Sequence, residues 1–169
     1  MIGEKIQDAF NKQINAEMYS AYLYLAMAAD FEDKNLKGCA AWMTVQAQEE
    51  MTHAMKFYHF IHERGGRVTL DAIEAPPTEW AGPQAAFEAA YAHEQKVTAL
   101  IHGLVDLAAA ERDHAAGIFL QWFVSEQVEE EASASEIVEK LKLIGDQPGS
   151  MFMLDAQLGR RGGASEGAD

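Results

Sequence analysis

Proline stands at only four positions, Pro76, Pro77, Pro83 and Pro148, so residues 5–64 and 84–147 contain none. Proline is the residue that breaks helices most strongly, because it lacks an N–H and clashes with the preceding turn. Both proline-free stretches are rich in Ala, Glu, Gln, Lys, Leu and Met, all good helix formers. Each is too long for one helix of a compact domain, so each must fold back on itself. The breaks are marked. Asp33-Lys34-Asn35 interrupts the first stretch, with Asn35 expected to cap the next helix. Gly65-Gly66 is a strong stop. A further break falls near Arg112-Asp113, and Gly145 with Pro148-Gly149 ends the last long segment. This spacing predicts an all-α chain of four helices of about 27–30 residues and a fifth, short helix over residues 151–159. Residues 1–161 form one domain. The Gly-rich residues 162–169 are expected to be a disordered tail.

The connections fix the topology. Very short links between the first and second helices, and between the third and fourth, make those pairs antiparallel neighbours. The link from Gly65 to about Gly82 is too long for a simple turn, and its Val68-Thr69-Leu70 is expected to be briefly extended. Extended, it spans roughly 40 Å or more. A crossover along the bundle therefore makes the second and third helices parallel.

Composition narrows the partners. The chain has 169 residues, 13 basic against 27 acidic, and a formal net charge of -14. Nucleic acid and anionic membrane surfaces both need basic patches, so neither is a partner; cations are attracted. The single cysteine, Cys39, excludes an internal disulfide and any zinc or iron–sulfur site built on cysteine pairs, and reads as a packing residue. The N-terminus has no apolar signal region, and the longest apolar run, residues 21–29, is far short of a membrane span. The expected compartment is the cytoplasm.

Heptad spacing gives each long helix a core stripe. The first is Ile6, Phe10, Gln13, Glu17, Ala21, Tyr24, Ala28, Phe31; the second Leu36, Ala40, Met43, Ala47, Glu50, Ala54, Phe57, Ile61. The third is Phe87, Ala90, Glu94, Val97, Ile101, Leu104, Ala108; the fourth Ala116, Leu120, Phe123, Gln127, Glu130, Ala134, Ile137, Leu141, Ile144. Every stripe is apolar at both ends and polar in the middle. His53 lies three residues after Glu50 on the same face. In an up-and-down bundle the helix middles meet at one level, so four carboxylates, an imidazole and an amide converge in one interior layer.

Such a layer cannot persist as bare charge. An unpaired buried carboxylate costs several kcal/mol, and like charges nearby add to it. No Lys or Arg occupies any stripe at this depth. Protonation or bound cations remain. Two divalent ions would neutralise four carboxylates, and the imidazole favours iron, manganese or zinc over calcium or magnesium.

The residues at this layer resemble those of the non-haem bacterial ferritins, a ferritin-like di-iron family. The matching segments are Asn15-Ala16-Glu17-Met18-Tyr19-Ser20-Ala21-Tyr22, Gln48-Glu49-Glu50-Met51-Thr52-His53-Ala54, Ala92-His93-Glu94, and the helix-four run from Phe119 to Glu130. The resemblance covers the chain from Lys5 to about Arg160. It implies a ferritin-like four-helix bundle with the long crossover and short C-terminal helix, carrying a ferroxidase centre. Glu17, Glu50 and His53 would hold one iron. Glu94 and Glu130 would hold a second, with Glu50 bridging and Gln127 a nearby polar group. Tyr24 and Trp122 would stand close to the irons, with a role as electron donors. Glu49, Glu126 and Glu129, together with Glu130, match a third iron position facing a cavity.

The fourth helix reads Gln127-x-x-Glu130 where the haem-containing bacterioferritins carry Glu-x-x-His, and Thr52 stands where those proteins place a haem-ligating Met. The resemblance therefore implies no haem. It implies iron storage and detoxification: Fe(II) is oxidised by dioxygen or hydrogen peroxide, one electron leaving each iron. The ferric product is then laid down as oxyhydroxide inside a homo-oligomeric shell of 24 subunits. Tyr22, Leu23, Trp42 and Phe60, off the core stripes, are candidates for subunit contacts. Two other readings fit the residues: a di-iron oxidase or peroxidase acting on an external substrate, and a scaffold whose acidic layer holds structural zinc or manganese.

Overall fold

A computed structural model of the chain describes residues 1–163. Four long helices, α1 (Glu4–Asp33), α2 (Lys37–Glu63), α3 (Pro83–Ala110) and α4 (His114–Ile144), are followed by α5 (Pro148–Leu158) and the one-turn α6 (Arg160–Gly163). The fifth helix starts three residues earlier than its predicted 151, because Pro148 sits in its first turn, where a missing N–H costs nothing. Gly162 and Gly163 belong to α6, while the remainder of the tail predicted from residue 162 lies outside the described residues.

Three of the helix ends close the same way. Asn35, Gly65 and Arg112 each have positive φ, at 57°, 71° and 54°. Each donates its N–H three residues back, and the next residue donates five residues back: Leu36 to Phe31, Gly66 to Ile61, Asp113 to Ala108. This is the closure that left-handed residues provide. It corrects the expected role of Asn35, which turns the chain rather than capping α2. The cap position falls to Leu36, which makes no side-chain cap bond. Asp113 does cap α4, accepting from the Ala116 N–H at 3.0 Å, and also takes a two-pronged bond from Arg64 at 3.0 and 3.1 Å.

α1 packs on α2 and α3 on α4. The crossover is held to α1 by amide side chains one turn apart. Gln7 accepts from the Arg67 N–H, Asn11 bonds the backbone of Arg67 and Thr69, and Asn15 donates to Asp71 and Ala72. Lys34, at the other end of α1, donates to Trp80. The segment thus runs the length of α1, about 40 Å, and makes α2 and α3 parallel. Residues 68–70 follow α1 through side-chain bonds, with no β-ladder among the described residues.

Nearly every predicted stripe residue is buried; Leu36 and Ile144, at stripe ends, are half-buried. The apolar core is in two parts. One, at the α2 N-terminal end, runs from Leu23 through Phe31, Met43 and Phe87 to Leu158. The other, at the opposite end, contains Phe10, Phe57, Ile101 and Phe123. Its rings interlock, with Phe57 4.3 Å from Phe123 and Phe60 stacked 4.2 Å from Phe119. Leu23 and Trp42, expected at subunit contacts, are instead buried within the chain. The Trp42 ring meets Phe87 of α3 at 5.3 Å and is also covered by Arg161 of α6, whose guanidinium is 4.8 Å from the ring centre. Tyr22 stays half-exposed.

Candidate metal centre

Between the two apolar clusters lies a layer of buried polar side chains: Gln13, Glu17, Gln46, Glu50, His53, Glu94, Gln127 and Glu130. α1 and α2 place Glu17, Glu50 and His53 so that one donor atom from each lies within 4.8 Å of the others. A second set, His53, Glu126 and Glu130, meets the same condition, so His53 is common to both. The His53 Nδ1 is 3.5 Å from Glu50 and its Nε2 is 3.8 Å from Glu126. Glu94 stands outside both compact sets, held by the Tyr24 hydroxyl and by Gln127, whose Nε2 donates to it at 3.1 Å.

Each of three carboxylates is oriented by an amide. Gln13 donates to Glu17 at 2.9 Å, Gln46 to Glu130 at 2.5 Å, and Gln127 to Glu94. An amide donates without bringing a charge, so it fixes a carboxylate without competing with a cation. Glu50 has no such partner. Both its oxygens and Glu17 Oε2 are buried with no hydrogen bond among the described residues. Leaving such atoms unmet costs about 1–3 kcal/mol each, and a bound cation would satisfy all three.

The electrostatics agree. Burial, then the Glu50 charge, pushes the Glu17 carboxyl well above its usual range. Burial and the Glu94 charge do the same to Glu50. Burial raises Glu94 against the opposing bonds from Tyr24 and Gln127. Burial and the Glu94 charge raise Glu130 from 4.5 to about 7. Without cations the layer takes up protons; hard or borderline divalent cations would displace them.

Trp122 turns its ring toward His53, with centroids 5.3 Å apart, while its outer face is exposed and carries Lys56 Nζ at 4.2 Å. Glu126 is half-buried beside His53, and Glu129 is exposed. Glu49 is not a free acidic side chain: Arg161 of α6 pairs with it at 2.5 Å. His93, without an evident partner in the sequence, meets the Ser20 hydroxyl at 2.7 Å, and burial lowers its pKa to about 4. Sequence reasoning passed over Gln46 and gave Gln13 no role. The signal was present, since Gln13 precedes Glu17 by one turn on the same face.

A buried four-helix carboxylate and histidine layer of this kind defines a ferritin-type bundle. The ferritin-like domain family matches residues 7–144. The bacterial non-heme ferritin of Bacteroides fragilis (strain 638R) is 49% identical over 161 residues, covering 95% of this chain and 100% of that protein. That of Staphylococcus saprophyticus is 39% identical, covering 95% and 96%. A crystal structure of an open pore ferritin from the hyperthermophilic archaeon Archaeoglobus fulgidus superimposes with a TM-score of 0.93 at 57% identity, covering 94% of this chain and 98% of that one. The chain belongs to the ferritin-like family.

Proposed function

We propose that this chain stores and detoxifies iron, acting as a ferroxidase on two Fe(II) ions bound in its interior layer. The observation that carries the reading is the Glu17–Glu50–His53 cluster, with three buried carboxylate oxygens that make no hydrogen bond among the described residues. Glu17, Glu50 and His53 bind one Fe(II). Glu94 and Glu130, each with one oxygen held by an amide, bind the second, and Glu50, whose oxygens make no hydrogen bond among the described residues, is shared between the two ions. Glu130 and Glu126 also meet His53, so that side of the site offers the way outward toward a third position.

Dioxygen accepts one electron from each Fe(II) and, with two protons, leaves as hydrogen peroxide; hydrogen peroxide as oxidant is reduced to water by the same two electrons. Pairing the metals avoids release of one-electron oxygen radicals. Where dioxygen is carried on to two waters, with four protons in all, Tyr24, bonded to Glu94, and Trp122, beside His53, would each supply one of the two additional electrons. The ferric product hydrolyses and is deposited as oxyhydroxide in the cavity of a cytoplasmic homo-oligomer of 24 subunits. The acidic surface, at -14 per chain, draws Fe(II) to it. No described helix is long and apolar enough to cross a membrane.

The test is anaerobic Fe(II) addition followed by air, for the wild type, Glu50→Ala and His53→Ala, recording ferric absorbance and particle size. Fast oxidation in the wild type, lost in both variants, with an iron core growing in a large particle, is the expected result. Variants that oxidise iron as fast as the wild type would remove the layer as the site. Oxidation without mineral growth would favour an oxidase over a storage protein.

A further inference from the structure

One basic side chain reaches the centre from outside the four long helices. Arg161, in the one-turn α6, lies with its guanidinium 4.8 Å from the centre of the Trp42 ring. Its Nη1 donates to Gln46 Oε1 at 2.6 Å and its Nη2 to Glu49 Oε2 at 2.5 Å. Trp42, Gln46 and Glu49 are spaced four and three residues apart, so they form one stripe on α2, and Arg161 covers it.

Gln46 is the link inward. Its carbonyl oxygen accepts from Arg161, so its NH2 group is the end that faces Glu130. The reverse orientation would set donors against Arg161 and an oxygen against a carboxylate. Arg161 therefore selects the amide orientation that makes Gln46 a donor to Glu130. The same guanidinium occupies a Glu49 oxygen, on the carboxylate that the sequence grouped with Glu126, Glu129 and Glu130 as an outer metal position. Helix α6 is held there by the packing of α5 on α2, where Gly38 and Gly159 allow close contact and Asp155 accepts from the Cys39 N–H at 2.8 Å.

We propose that Arg161 is a positioning residue of the metal centre, turning Gln46 toward Glu130 and withholding the Glu49 carboxylate from metal. This rests on the two-metal reading of the layer. Two inner ions are then bound by the oriented carboxylates, while an outer ion must compete with a guanidinium for Glu49. The pairing keeps the outer position weak, which suits iron in transit rather than iron retained.

The experiment is calorimetric titration of the assembled, metal-stripped protein with Co(II), in the wild type, R161A, R161K, E49Q and the R161A/E49Q double variant. R161A is expected to tighten the weakest equivalent about two- to fivefold, the range of a partly exposed ion pair. R161K, with a charge but no fork for two partners, falls between R161A and the wild type. In the E49Q background R161A is expected to have no effect on that equivalent. A merely structural role for Arg161 predicts the opposite sign, since damage loosens binding. Unchanged affinity in R161A, or equal tightening with and without Glu49, overturns the proposal. Co(II) binding unaltered in Glu50→Ala would instead overturn the two-metal reading beneath it, so the two failures are told apart.

Discussion

Without metal, the stability of this protein should fall as pH rises, and Glu130 should account for a measurable share. Its side chain is 5% exposed, and burial with the neighbouring Glu94 charge raises its pKa from 4.5 to about 7. Below pH 4.5 the carboxyl is protonated in both folded and unfolded chains, and its contribution is fully present. Between 4.5 and about 7 the folded chain keeps a proton that the unfolded chain has released, so stability declines with each pH step. Above 7 the loss is complete. At about 1.4 kcal/mol per decade of proton affinity, the rise corresponds to about 3 kcal/mol. The perturbation is Glu130→Gln, which does not titrate and still offers an oxygen to the Gln46 amide. The assay is guanidinium unfolding of chelator-treated protein from pH 4.5 to 7.5 at fixed chain concentration, because assembly couples to stability. Wild type should lose about 3 kcal/mol more than the variant across that window, with little difference at its acid end. Added divalent metal should stabilise the wild type by more than the variant, which keeps the Glu17–Glu50–His53 set but lacks the fourth carboxylate. Parallel slopes for the two proteins in metal-free buffer would refute the claim that Glu130 is a strained, proton-loaded carboxyl awaiting a cation.

Other outcomes follow from single contacts. A Cβ at Gly38 would lie 1.7 Å from the Asp155 carbonyl oxygen, so Gly38→Ala must push α5 off α2. It should cost roughly 3 kcal/mol and expose residues 148–163 to limited proteolysis. Arg112 carries a positive φ of 54° at the α3–α4 turn, a conformation costly for a residue with a Cβ. Arg112→Gly should therefore stabilise by about 0.5–1 kcal/mol, read as a raised unfolding midpoint. Tyr24→Phe removes one of the two side-chain donors to Glu94 and leaves a buried oxygen unmet. It should lower metal-free stability by about 1–2 kcal/mol and move the Glu94 carboxyl further up, both followed by denaturation against pH.

What the sequence disclosed and what it withheld divide along a physical line. Stripe membership depends on helical periodicity, a local property, so Glu17, Glu50, Glu94, Gln127 and Glu130 are all legible from spacing, as is the pairing of Glu50 with His53. Their convergence at one level follows from helix lengths and loop lengths alone. The same spacing leaves Trp42 outside the stripe, because it describes one helix facing a four-helix core and knows nothing of α5. Once α5 docks at Gly38, the core at that end extends beyond the four long helices, with Trp42 buried beside Leu158 and Arg161, while Leu23 is covered on its own side by Trp80 of the crossover. Arg161 lies half-buried over the Trp42 ring at the edge of that extension. Its partners are 112 and 115 residues away in sequence, and no periodicity joins them. Asn35 fails for a different reason: Asn serves both caps and left-handed turns, and the three-residue link from α1 to α2 requires the second. The carboxylate layer can thus be found in each long helix separately. The groups that tune it, Gln46 behind Glu130 and Arg161 behind Gln46, exist as a chain only when the C-terminal helices have closed over α2. A truncation after Leu158 should for that reason leave the bundle and its acidic layer standing while altering the outer metal position, which separates assembly of the site from its tuning.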